Sequence, residues 1–122
     1  MGRRLIVTAA VISLCAIATA VSASPRMVST NPAAKAVMSS APNAVRILFS
    51  EPVAEAATGA AIAGDKGQTV EIGKATLNSN NPRQIVIPIR GTLAPGMYTV
   101  AWHAVGRDTM RVTGTFQFEV KQ

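Results

Sequence analysis

At 122 residues the chain has room for one small domain, and its net charge of +6 comes from basic residues that are scattered. No Lys/Arg run is interleaved with aromatics, so nothing supports nucleic-acid binding. One histidine, six carboxylates and no G-x-S-x-G, P-loop or H-E-x-x-H pattern argue against an enzyme.

The first 23 residues read as a secretory signal peptide. Arg3 and Arg4 form its positive start, Leu5 to Ala20 its apolar stretch, and Val21-Ser22-Ala23 a small-residue cleavage site. The apolar run is short for a membrane anchor, which needs about 20 residues. Cys15 follows Leu14, where a lipobox wants a small residue. The mature domain is then 24–122, periplasmic or secreted. It holds no cysteine, so neither a disulfide nor a thiolate ligand is available. Losing Arg3 and Arg4 leaves a charge of about +4, enough for weak attraction to an anionic membrane surface.

Ser24 to Thr30 is extended, and Asn31-Pro32-Ala33-Ala34 signals a turn. Pro25 has no N–H to deprotonate. A square-planar site using the second backbone amide is therefore excluded. Lys35 to Ala44 is expected as loop, Val45 to Phe49 as a strand that ends before Pro52. The alanine-rich run from Val53 to Ala63 has helix propensity. Thr58, Gly59 and Gly64 break it, which leaves a short strand at Ala60 to Ala63. Gly64-Asp65-Lys66-Gly67 with Gln68 to Ile72 predicts a hairpin. Lys74 to Leu77 predicts a short strand, and 78–83 a loop. Gln84 to Ile89 is strongly β, with Pro88 marking an edge or a bulge. Leu93-Ala94-Pro95-Gly96 is a turn in which Gly96 supplies positive φ.

The organising pair of strands follows. Tyr98, Val100 and Trp102 share one face by the period of two, and so do Phe116, Phe118 and Val120. These faces predict the core. His103 then faces away from the Trp102 side and reads first as a half-exposed strand histidine, second as a metal ligand. If the intervening polar segment is extended, Asp108 and Met110 point the same way. Met27, Met38, Met97 and Met110 form no M-x-M or M-x-x-M cluster. Strand-like runs between turn signals predict an all-β fold, a small Greek-key β-sandwich or barrel.

Four motifs, in order, carry a family resemblance. They are Ser24-Pro25-Arg26-Met27-Val28-Ser29-Thr30 followed by Pro32-Ala33, then Phe49-Ser50-Glu51, then Leu93 through Trp102 (L-x-x-G-x-Y-x-V-x-W), and Ala104 through Gly114 (A-V-x-x-D-T-x-x-x-T-G). With these the mature chain resembles the CopC-type periplasmic copper-resistance proteins over nearly its whole length. The resemblance implies about seven strands in an Ig-like, cupredoxin-like sandwich. It implies copper as the bound metal and a monomer that works beside a CopD-like inner-membrane protein. In the family, copper(II) is held by an N-terminal histidine and by the aspartate and histidine of a D-x-H motif, with the F-S-E glutamate near.

This sequence departs from that pattern at both imidazoles. Ser24 stands in place of the N-terminal histidine and Met110 in place of the D-x-H histidine, while Asp108 and Glu51 are kept. The expected metal residues are therefore Ser24, Glu51, Asp108 and Met110. Two hard carboxylates suit copper(II) and one soft thioether suits copper(I), so neither oxidation state has a full set. Two readings stay open, beside a weaker third in which Glu51 and Asp108 hold another ion, two carboxylates being few for calcium. One is a copper-binding protein of copper resistance or homeostasis with an altered site. The other is a metal-free interaction module for a membrane copper-handling partner.

Overall fold

The computed structural model describes residues 24–121. The signal peptide expected over residues 1–23 lies outside them. The described residues form eight strands: β1 (Met27–Asn31), β2 (Val37–Met38), β3 (Ala44–Phe49), β4 (Gly59–Gly64), β5 (Thr76–Asn78), β6 (Asn81–Pro88), β7 (Gly96–Val105) and β8 (Arg111–Val120). One sheet has the order β1-β3-β6-β5 and the other β2-β8-β7-β4. Two four-stranded sheets packed face to face make the expected β-sandwich.

The core follows from alternation. Val45, Ile47 and Phe49 of β3 and Ile85 and Ile87 of β6 point inward from the first sheet. Ile62 of β4, Tyr98, Val100, Trp102 and Ala104 of β7, and Phe116, Phe118 and Val120 of β8 meet them from the second. Phe49 packs edge-on to Trp102 across the sandwich at 5.2 Å between ring centroids, and Tyr98 stacks on Phe118 at 5.6 Å. The Tyr98 hydroxyl donates to the Ala94 carbonyl, so the buried ring keeps its polar end satisfied. Gly114 pairs with Trp102, and a Cβ there would overlap the indole. Glycine at this point lets the largest side chain lie flat against β8.

Several local expectations change. Within the expected loop 35–44, Val37 and Met38 pair in parallel with Glu119 and Val120, which raises the strand count from seven to eight. The loop expected over 78–83 is a two-residue turn, because β6 already starts at Asn81 and Asn78 pairs with Asn81. β6 is an interior strand and not an edge. Pro88 is tolerated because it is the strand's last residue, where a missing N–H breaks little pairing. The helix propensity after Val53 survives only as one 3-10 turn at Glu55–Ala57. The hairpin expected after Gly67 starts as one, with Val70 donating to the Ile62 carbonyl. It then leaves for the other sheet, where Ile72 bridges Ile89. Gly96 does take positive φ, 149°.

Candidate metal centre

The turn between β7 and β8 carries Asp108. Its neighbours do not continue the strand. Thr109 donates its N–H to the Gly106 carbonyl and has φ of 59°, so the segment is a tight turn. The extended chain that would align Asp108 with Met110 is therefore absent. A left-handed residue between them breaks the i, i+2 alternation. What links the pair is backbone: the Met110 N–H donates to Asp108 Oδ1 at 3.0 Å, an Asx-type turn. The Met110 side chain is 61% exposed.

The other Asp108 oxygen is taken from far away in sequence. Ser24 Oγ donates to Asp108 Oδ2 at 2.6 Å, across 84 residues. The strand pairing explains how Ser24 arrives there. Met27 of β1 pairs with Phe49, Arg26 donates its N–H to Ser50 Oγ at 2.9 Å, and Ser50 N–H donates to the Arg26 carbonyl. These bonds carry the first residues past the end of β3 to the β7–β8 turn. The Ser24 hydroxyl, then the Met110 N–H, hold Asp108 below the usual carboxylate range.

Glu51 is half-buried and follows Ser50, whose backbone lies against Arg26. The structure therefore brings Ser24 and Asp108 into contact, holds Met110 to Asp108 through its amide, and sets Glu51 beside the segment that delivers Ser24. Among the described residues, no three His, Cys, Asp or Glu side chains converge as a metal-holding group. The donors that do converge are a hydroxyl and a carboxylate, both hard oxygens. Here they are joined to each other, the hydroxyl donating to the carboxylate.

His103 faces outward as alternation requires. Its ring lies over Gly59 of β4, where a Cβ would stand 3.3 Å from its Cε1. Partial burial, then the Arg111 charge, hold its pKa below the ordinary imidazole value. Trp102 Nε1 is buried with no hydrogen-bond partner among the described residues. Nothing in the sequence marks it, because its isolation comes from the packing against Gly114. No helix among the described residues is long and apolar enough to cross a membrane.

Comparison with known proteins bears on this geometry. The CopC domain profile matches residues 27–121. Protein YobA of Escherichia coli K12 is 38% identical over 90 residues, covering 74% of this chain and 73% of its own length. Copper resistance protein C of Pseudomonas syringae pv. tomato is 32% identical over 104 residues, covering 81% and 82%. The crystal structure of PcoC, a methionine rich copper resistance protein from Escherichia coli, superposes with a TM-score of 0.72 at 32% identity, over 81% of this chain and all of that one.

Proposed function

The chain belongs to the CopC domain family, and from that premise we propose that it is a periplasmic copper-binding protein of copper resistance or homeostasis, not an enzyme. Its site centres on Ser24 and Asp108, with Glu51 and Met110 at the margin. The observation that carries this reading is the Ser24 Oγ to Asp108 Oδ2 bond of 2.6 Å. It brings the first residue of the expected mature chain to the retained aspartate. Cleavage before Ser24 frees an α-amine there. Amine, hydroxyl and carboxylate are then close together and suit copper(II). Without imidazoles the affinity falls by orders of magnitude from that of a site with two. Met110 adds one exposed thioether, a single soft donor for copper(I).

The test uses protein beginning at Ser24, titrated with copper(II), and with copper(I) anaerobically, against competing chelators. One-to-one copper(II) binding that is lost on N-terminal acetylation and in Asp108→Asn is the expected result. Copper(I) binding lost in Met110→Ala places the metal on the thioether instead. Failure to bind either ion at micromolar concentration overturns the reading.

A second reading is a metal-free module for a CopD-like membrane partner. It is favoured by Ser24 and Met110 standing where the family pattern has its two histidines. It predicts membrane association indifferent to Asp108→Ala.

A further inference from the structure

The outward face of the β7–β8 hairpin has features the copper reading does not use. Strand register sets His103 opposite Thr113, Val105 opposite Arg111 and Ala101 opposite Thr115. Side chains on this face are uneven in size. Ala101, with the Gly114 backbone and Trp102 beneath it, floors a depression of about 360 Å³ between the bulkier Arg111, His103, Thr113 and Thr115. Arg111 supplies its only full charge at neutral pH, and no carboxylate lines it among the described residues.

His103 forms the wall between this depression and a second one of about 270 Å³ over β4, whose lining includes both Glu55 and Lys74. The contrast matters, because only the β7–β8 side is uniformly positive. Gly59 eases this placement, since a Cβ there would stand 3.3 Å from the ring. Partial burial, then Arg111 on β8, disfavour the imidazolium, and the neutral ring offers one donor and one acceptor.

We propose that this depression binds a small organic carboxylate, with Arg111 holding the carboxylate and His103, Thr113 and Thr115 forming the polar bed. A guanidinium fork matches a carboxylate with two parallel hydrogen bonds. Two threonine hydroxyls take the remaining oxygens of a diacid. The floor at Ala101 and Gly114 is apolar and accepts a short carbon chain, which a bare inorganic anion lacks. None of these residues is a proposed copper ligand, so this site stands or falls separately.

The chain has one histidine and one tryptophan, so each gives a single unambiguous signal. Purified metal-free protein is titrated with succinate, and separately with phosphate and chloride at matched ionic strength. The His103 imidazole and the Thr113 and Thr115 amides are followed by NMR. A carboxylate bound beside His103 favours its charged form, so succinate raises the His103 midpoint saturably. Arg111→Gln weakens succinate binding about tenfold or more, the loss of a hydrogen bond to a charged group. Thr113→Val weakens it by less without removing charge. Unchanged far-UV circular dichroism and denaturation midpoints report that both variants remain folded. Equal shifts with chloride reduce the effect to screening and overturn the proposal. Undiminished succinate binding in Arg111→Gln overturns it as well. Saturable phosphate binding at the same amides overturns the assignment to a carbon acid.

Discussion

Asp108 accepts a hydrogen bond on each oxygen, and the two donors have different origins: Ser24 from the start of the described chain, Met110 from the same turn. The larger cause of its lowered pKa is the Ser24 hydroxyl. Ser24→Ala therefore moves the Asp108 midpoint up toward the ordinary carboxylate value, as read from its side-chain carboxyl carbon by NMR. The sign for stability follows. A depressed folded pKa adds stability that is present above the ordinary carboxylate range and lost as pH falls through the folded value, and Ser24→Ala reduces that contribution. Met110→Ala, at an exposed thioether, changes unfolding free energy by less than about 0.5 kcal/mol in a denaturant titration. The family resemblance made Asp108 and Glu51 legible as candidates in the sequence. The side-chain partner of Asp108 was not legible in local spacing, because a serine 84 residues away reaches it through tertiary pairing. Nor was the Met110 geometry, since nothing in Asp108-Thr109-Met110 announces a left-handed threonine.

Strand β8 is shaped by one missing side chain. Gly114 stands across from Trp102, and Gly114→Ala drives a methyl into the indole, at about 1–3 kcal/mol for overpacking. The outcome is measurable as a lower denaturation midpoint with altered Trp102 emission. By contrast Phe118→Ala, at a fully buried ring stacked on Tyr98, leaves a cavity and costs about 3–5 kcal/mol. These two strands were the most legible part of the sequence. Alternating large apolar residues over ten positions have one consistent solution, and Tyr98 through Trp102 and Phe116 through Val120 are buried on the expected face. The short strands were less legible. Val37–Met38 becomes a strand only because β8 offers an edge. Pro88 suggested an edge strand because a sequence does not show that a proline is the last residue of an interior one. Local composition reports propensity, and pairing is decided by what lies alongside.

At the scale of the whole molecule, one continuous core spans both sheets, with no cysteine in the described residues to divide or cross-link it. Unfolding is expected as a single transition, with Trp102 fluorescence and far-UV circular dichroism coinciding in denaturant. Its pH dependence includes a contribution from His103. The folded state holds this imidazole below its ordinary value near 6.5, so the unfolded chain takes up the proton first as pH falls. Stability therefore declines as pH drops through that window, and Arg111→Gln narrows the window by removing one of its two causes.

The position of β2 has a consequence for the order of assembly. β1 finds its partner β3 soon after it in the chain, but β2 lies beside β8, the last strand to exist. Ser24 likewise waits for the turn that precedes β8. Ser24 and β2 thus wait, as the chain emerges, for the turn and strand that lie about 80 residues further on. The outer edge of the second sheet and the Ser24–Asp108 contact are completed in the same late step. A polypeptide that stops between Val105 and Arg111 contains β7 but not β8, so β7 and β2 both lack the strand they pair with and the second sheet has an open flank.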